Sequence, residues 1–333
     1  MERVAVIILN WNGEKLLKEF LPSVVRNTNP EYGRVIVADN ASSDGSLVLL
    51  EKEFPEVEVI RFPQNYGFAG GYNRAIDLVE AEVVVLLNSD VEVAPGWLEP
   101  LVALLESEQE VVAVQPKILS YKDRNRFEYA GACGGFIDAY GFPFCRGRIF
   151  HVTEQDQGQY ESLREVFWCS GAALCIRREH YLQAGGLDER FFAHMEEIDL
   201  CWRIRNAGGK LKVQPASVVY HLGGGSLPMN HPRKLFLNYR NNLLMLYKNL
   251  DSRRGKRVLC KRRFLDLAAG LVFLLKGEFS NVRSLIRAYR EFREMKKFYT
   301  PSPLFREDDC IYPGCLVFDF YIKGIRAFSQ LWK

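Results

Sequence analysis

VVVLLNSDVEVAPGW, residues 83–97, decides how this chain is read. Five unbroken apolar residues, Val83 to Leu87, run into Asn88, Ser89 and Asp90. Glu92 follows, and Pro95-Gly96 stops the segment. A short continuous apolar run suits a strand covered on both faces of a sheet. A strand driven into two carboxylates ends either in a solvated turn or in a cation site at the rim of the sheet. The flanking sequence bears on the choice.

Upstream, element types alternate. VAVIIL (4–9), VIVA (35–38) and VEVIRF (57–62) read as strands. GEKLLKEFLPSVVRN (13–27), SLVLLEKEF (46–54) and residues 70–81 read as helices. This predicts right-handed βαβ units and an α/β, doubly wound, mostly parallel sheet of Rossmann-like type. Such sheets bind ligands beyond the carboxyl ends of their strands. Here every end is polar: NWNG (10–13), DNASSDGS (39–46), PQNYGFAGGYN (63–73) and NSDVE (88–92). Together they describe a crevice, with Asp90 and Glu92 where a substrate would lie.

The totals bound the rest. The chain has 333 residues, 48% hydrophobic, enough for a sizeable core. Residues 1–230 carry 22 Lys and Arg against 32 Asp and Glu, a net −10, whereas residues 231–333 carry 22 against 9, a net +13. Such unlike parts predict one domain over 1–230 and a basic helical extension over 231–333. The eight cysteines form no C-x-x-C, and the six apolar residues between Arg3 and Asn10 are too few for a secretory core. Reduced thiols in the cytoplasm are expected. No stretch reaches the roughly 20 apolar residues of a spanning helix.

Several motifs carry chemistry. Oxygen ligands at alternate positions, Asp90 and Glu92, suit Mg²⁺ or Mn²⁺. Asp39, with Asn40 beside it, either accepts the N3–H of a pyrimidine base or caps the following helix. NYGFAGGYN (65–73), with Asn65, Gly67, Gly71 and Asn73, brings backbone N–H groups to a helix start, where a diphosphate can approach. It is not G-x-G-x-x-G, and no G-x-x-x-x-G-K-[ST] occurs. In HMEEIDLCWR (194–203), Asp199 and Arg203 stand four apart on one helical face and predict a pair. Glu197 is then left as a general base, or the stretch is an amphipathic surface helix whose polar face looks much the same. His221 ends an apolar run before Gly223-Gly224-Gly225 and is either a packed histidine or a nitrogen ligand to the metal.

Taken together, VAVIILNWNG, VADNASSDGS, NYGFAGGYNRA, LLNSDVEV, WCSGAALCIRRE, GGLDERFFAHMEEIDLCWR and VVYHLGGGS resemble glycosyltransferase family 2, the inverting GT-A enzymes, and its bacterial rhamnosyltransferase-like branch. The resemblance covers about residues 3–226, and YRNNLLMLYKN (239–249) extends it. It implies a GT-A fold and transfer of a sugar from dTDP-rhamnose or a UDP-sugar to a saccharide hydroxyl, in surface polysaccharide synthesis. Asn10, Asp39, Asn40, Asn65, Gly67, Gly71, Asn73, Asn88 and Ser89 would face the nucleotide sugar. Asp90, Glu92 and His221 would serve the metal, Glu197 or Glu196 the acceptor proton. Gly171, Asp199, Trp202 and Arg203 would lie on the acceptor side. Two departures stand out: Glu at 197 where the family usually has Asp, and Asn88-Ser89-Asp90 in place of a strict D-x-D.

RRGKRVLCKRR (253–263) holds seven basic residues in eleven, followed by FLDLAAGLVFLL (264–275). Phe264, Leu267, Ala268, Leu271 and Leu275 form one helical stripe. Basic charge beside an apolar face suits an anionic membrane surface, here the inner one, and a lipid-linked acceptor. A helical cap or an oligomer contact would show the same pattern. No nucleic-acid module accompanies the charge. A degenerate nucleotide-sugar or lipid-binding module and a nucleotidyltransferase are the competing functions.

Overall fold

A computed structural model of the chain describes residues 2–223, 231–303 and 309–332. The first elements alternate as expected: β1 (Glu2–Asn10), α1 (Glu14–Asn27), β2 (Gly33–Asp39), α2 (Ser46–Glu53), β3 (Glu58–Arg61), α3 (Gly67–Leu78) and β4 (Ala81–Asn88). β5 (Val91–Val93), α4 (Glu99–Ser107) and β6 (Val111–Ser120) follow. Next come the short strands β7 (Gly135–Asp138), β8 (Pro143–Cys145), β9 (Arg148–Ile149), β10 (Val152–Thr153) and β11 (Arg164–Glu165). The central sheet is completed by β12 (Ala173–Arg177), α5 (Arg178–Gln183), α6 (Glu196–Asn206) and β13 (Lys210–His221).

The sheet order is β11-β13-β6-β12-β4-β1-β2-β3, with β5 paired to β13. β1, β2, β3 and β4 are mutually parallel, and β13 is parallel to β6. β12 is antiparallel to both β4 and β6, so these two also run the same way. The carboxyl ends of β1, β2, β4 and β13 therefore share one rim. β12 starts at that rim.

Unbroken apolar strands serve two cores. Ala5, Ile7, Val84 and Leu86 face α3, α5 and α6, whereas Val4, Val6, Val83, Val85 and Leu87 face α1, α2 and α4. Alternate side chains point to opposite faces, and both faces are dry. Each buried side chain of this size contributes roughly 1.5–3 kcal/mol.

The C-terminal part is helical: α7 (Pro232–Asn249), α8 (Ser252–Leu275) and α9 (Phe279–Met295). Leu243, Leu244, Met245 and Leu246 of α7 join the core that holds Ile198 and Leu200 of α6. β14 (Ile311–Tyr312) adds a parallel strand to β7 in a second sheet, β10-β9-β8-β7-β14. Near the end, α10 (Leu316–Tyr321) and α11 (Phe328–Leu331) return to that sheet, and the Phe328 and Phe136 rings lie 5.0 Å apart. The charge boundary at residue 230 is thus not a break in packing. Not all the basic residues are surface ones either. Arg262 is buried, pairs with Asp266 at 2.8 Å and stacks on Phe142. Tyr289 donates to the same Asp266 at 2.7 Å, fastening α9 to α8.

The apolar stripe of α8 stays uncovered. Phe264, Leu267, Leu271 and Leu275 are 57–78% exposed. No helix among the described residues is long and apolar enough to cross a membrane.

Candidate active site

The ends of β1 and β2 brace one another. Asn10 is buried and donates from Nδ2 to Asp39 Oδ2 at 3.0 Å and to Ser42 Oγ at 3.1 Å. Asp39 Oδ1 accepts the Ser42 N–H at 3.0 Å. The N-cap of α2 is Gly45, and the Ser46 N–H at its start goes to Asp44 Oδ1 at 3.1 Å. Asp39 is thus not the cap. A carboxylate has about four acceptor sites, so Asp39 retains capacity for a further N–H.

Asn40 sets the next loop. Its Oδ1 accepts the Tyr66 N–H at 2.9 Å, and its Nδ2 donates to Asn65 Oδ1 and to the Gly67 carbonyl, both at 3.0 Å. Gly67 opens α3 at φ 72°, a conformation that favours glycine. Gly71 permits close approach: a Cβ there would lie 2.6 Å from Leu9 Cδ1 and 3.1 Å from Asn40 Nδ2. Asn73 corrects the sequence reading. It donates to the Leu187 carbonyl and accepts from the Tyr181 hydroxyl at 2.6 Å and the Leu187 N–H at 2.9 Å. Both ends of its amide are engaged in tying α3 to the chain before α6, so it does not face the nucleotide sugar.

Asp90 and His221 meet across the rim. Asp90 Oδ1 lies 3.1 Å from His221 Nε2, and Asn88 Nδ2 lies 3.5 Å from the same nitrogen. Ser89 lies in the partly open turn between Asn88 and Asp90. The other ring nitrogen, Nδ1, is 3.1 Å from Glu128 Oε2. Burial opposes charge on His221, but Asp90 and Glu128 together push its pKa up to about 10. Burial also opposes charge on Asp90, yet His221 brings its carboxyl below the ordinary range. Glu128, on the loop between β6 and β7, joins the candidate site although no motif in the sequence marks it. Gly223 passes close to it at φ 65°, where a Cβ would lie 2.7 Å from Glu128 Oε1. Gly224 and Gly225 lie outside the described residues.

Glu92 is the second correction. In the β5–β13 ladder Glu92 opposes Tyr220, while His221 opposes Val91. Directly opposed residues share a face and their neighbours take the other. Glu92 therefore points away from His221 and pairs with Arg124 at 2.8 Å.

The remaining carboxylates stand at the start of α6. Gly171 precedes Ala172, whose carbonyl accepts the Asn88 N–H at 3.0 Å. A Cβ on Gly171 would lie 3.6 Å from Glu197 Cβ and 3.6 Å from Phe68 Cζ. Glu197 thus packs at Gly171, whose neighbour Ala172 is hydrogen-bonded to Asn88 at the end of β4. Three left-handed residues, Phe192 (φ 68°), His194 (φ 70°) and Met195 (φ 74°), lead into the helix. Non-glycine residues in this region cluster at functional sites. Glu196 is 6% exposed, whereas Glu197 keeps an open side. Each has a buried Oε2 without a hydrogen-bond partner. Burial raises both carboxyls, and repulsion from Glu197 and Asp199 drives Glu196 further up. Backbone N–H groups of Glu197 and Ile198 partly offset the rise at Glu197. Glu196 therefore holds a proton more tightly than Glu197.

Asp199, Trp202 and Arg203 do not form an acceptor surface. Asp199 is fully buried, with Arg203 at 2.9 Å and Lys248 at 2.9 Å. Arg203 also donates to the Gly186 carbonyl at 2.7 Å, and Trp202 packs in the core against Phe167. Their charges and ring are consumed in holding α6 in place. The α7 motif YRNN supplies a further anchor. Arg240 donates to the Phe191 carbonyl at 2.8 Å, and Asn241 Nδ2 donates to the carbonyls of Phe191, Ala193 and His194.

Among the described residues, no group of three or more His, Cys, Asp and Glu side chains suits a metal ion. Asp90 with His221 offers two donors. That is sufficient for an ion completed by phosphate oxygens and water, the usual arrangement for Mg²⁺-like ions.

Residues 5–177 match the family model described as Glycosyl transferase family 2. The chain belongs to that family. It is similar to the N-acetylglucosaminyl-diphospho-decaprenol L-rhamnosyltransferase of Mycobacterium tuberculosis (strain ATCC 25618 / H37Rv), at 27% identity over 72% of this chain and 83% of that one. Among solved structures it resembles GalNAc-T7 with UDP, GalNAc and Mn²⁺, with TM-score 0.59 and 18% identity over 76% of this chain and 49% of that one. It also resembles the mannosyltransferase PcManGT from Pyrobaculum calidifontis in complex with GDP-Man and Mn²⁺, with TM-score 0.54 and 15% identity over 88% and 75%. The fold is GT-A, and the protein is a glycosyltransferase.

Proposed function

We propose that this glycosyltransferase is an inverting, divalent-metal-dependent enzyme. It moves a sugar from a nucleoside diphosphate, dTDP-rhamnose or a UDP-sugar, to a hydroxyl of a lipid-linked saccharide in bacterial surface polysaccharide synthesis. The observation that carries this reading is the adjacency of two poles. Asp90 and His221 stand at the ends of β4 and β13, and Glu197 packs at Gly171 beside the same turn.

Asp90 and His221 would hold the ion, which when bound supplies positive charge to the leaving diphosphate. A carboxylate suits Mg²⁺ or Mn²⁺, and the imidazole nitrogen favours Mn²⁺ of the two. Asp39 and Asn10 would orient the base, and the Asn40–Asn65 loop would present the start of α3. Glu197 takes the acceptor hydroxyl proton as that oxygen bonds to the anomeric carbon. The bond from that carbon to the diphosphate oxygen breaks, and the nucleoside diphosphate leaves. One displacement inverts the carbon.

The uncovered α8 stripe and its basic flank support a place at an anionic inner membrane surface. Release of free nucleoside diphosphate from a panel of nucleotide sugars, with and without Mn²⁺ or Mg²⁺ and with the lipid-linked acceptor present, tests the reading. Ion-dependent release from one donor is expected. Ion-independent release would remove Asp90 and His221 from the role assigned here.

A further inference from the structure

We infer that the groove between α7 and α9, beside the loop leading to Glu197, binds the diphosphate of the lipid-linked acceptor. The inference deepens the transferase reading above and rests on it. The groove has a volume of about 510 Å³. Phe192 and Phe236 supply apolar lining, and Arg233, Arg240 and Arg287 supply cations against one carboxylate, Glu291. The formal excess of two positive charges matches the two negative charges of a diphosphate diester.

Arg233 and Arg287 are arranged to present donors, whereas Arg240 spends its own on Asn241, Glu291 and the carbonyls of Arg190 and Phe191. Arg233 Cζ lies 5.0 Å from the Phe192 ring centroid, and Arg287 Cζ lies 4.4 Å from that of Phe236. A guanidinium resting on a ring keeps its edge N–H groups for a planar or tetrahedral anion. Glu291 braces the set, with Oε1 2.8 Å from Arg287 Nε and Oε2 3.3 Å from Arg240 Nη1. Phe192 is 55% exposed although held at φ 68°, a conformation disfavoured for a bulky side chain. It stands five positions before Glu197. Arg240 lines the groove and also holds the Phe191 carbonyl of that loop. α7 and α9 are different elements from the strand ends that face the donor. Ile286, next to Arg287, is 66% exposed and, with the α8 stripe, offers the lipid chain an apolar path.

The test measures equilibrium binding to the full chain in EDTA buffer. The probes are N-acetylglucosaminyl geranyl diphosphate, neutral geranyl N-acetylglucosaminide and inorganic pyrophosphate. The diphosphate lipid is expected to bind at least about tenfold more tightly than the neutral one. That advantage should vanish in Arg233→Gln/Arg287→Gln and persist in Lys15→Gln/Lys52→Gln, which removes the same charge from α1 and α2. If the double variant fails to fold, Arg287→Gln alone carries the test, since that side chain is 64% exposed. Equal affinity for both lipids in the unaltered protein would overturn the inference. So would equal losses in the two double variants, or pyrophosphate binding as tightly as the diphosphate lipid. A separate titration of the unaltered protein with dTDP and UDP plus Mn²⁺ checks the donor reading. Its failure there would be visible independently of the lipid probes.

Discussion

The strand rim and the start of α6 treat their carboxylates in opposite ways. Asp39 has partners on both oxygens, and Asp90 is held by His221. Glu196 and Glu197 each leave a buried oxygen without a partner. His221 brings the carboxyl of Asp90 below the ordinary range. Starved carboxyls are raised toward the range where they take up and release protons. On the proposed reading, one end of the sheet is divided into a binding pole and a proton-transfer pole, and each substitution below should disturb one and spare the other.

Glu197→Gln should act most strongly. Loss of a general base costs about 10²–10⁴-fold in turnover. Nucleoside diphosphate binding, followed by titration, should stay within a few-fold. Full turnover in this variant would remove Glu197 from the chemistry. Asp90→Asn should reverse the pattern. The charge facing the ion is lost, turnover falls by about 10²–10³-fold, and Mn²⁺ no longer strengthens nucleotide binding. Nucleotide affinity that still responds to Mn²⁺ would place the ion elsewhere.

Glu128 sharpens the binding pole. A carboxylate behind a ligating histidine orients the ring, and its loss costs about 10–100-fold in metal affinity. Glu128→Ala should weaken Mn²⁺ binding, read by electron paramagnetic resonance, and Glu128→Gln should restore part of it. A merely structural role would not yield that rescue. The same pole is pH-sensitive. Asp90 and Glu128 push the His221 pKa up to about 10, so without metal the ring holds a proton at neutral pH. An ion must displace that proton, and Mn²⁺ affinity should therefore rise with pH, by up to about tenfold per unit below 10. Affinity flat with pH would leave His221 outside the ion's ligands.

How legible this was depended on whether a role was local. The βαβ order and the polar strand ends could be read because buried parallel strands are continuous apolar runs. Asp90 lay at the end of such a run and His221 at the end of another. That the two meet is set by sheet order, with β13 carrying β5 on the far side of β6 and β12, and no spacing reveals it. Glu128 was invisible for the same reason: it stands 93 positions from His221 on an unremarkable loop. Glu92 was misread because alternation from Asp90 was assumed to continue, whereas β5 turns it toward Tyr220 and Arg124. Asp199 and Arg203 were paired correctly from their spacing, but Lys248 lay far along the chain and makes their cluster interior. Asn73 was judged by its glycine-rich neighbours, and its partners at Tyr181 and Leu187 follow only from tertiary packing.

The smallest effect is expected at Glu196, and it separates the two adjacent glutamates. Glu196 is the more buried and is repelled by Glu197 and Asp199, so it holds a proton more tightly than Glu197. Glutamine has nearly the shape of that protonated acid. Glu196→Gln should therefore leave turnover within a few-fold. The pH profile gives the finer reading. The base acts ionised, so the rate falls as pH drops through its pKa. Burial is the first cause of the rise at Glu197, and burial survives the substitution. The acidic limb should then stay above the ordinary glutamate range in both the unaltered protein and Glu196→Gln. A limb that moved down to the ordinary range would make repulsion by Glu196 the main cause. Loss of turnover as deep as that of Glu197→Gln would transfer the base to Glu196, and the open side of Glu197 would then belong to acceptor binding.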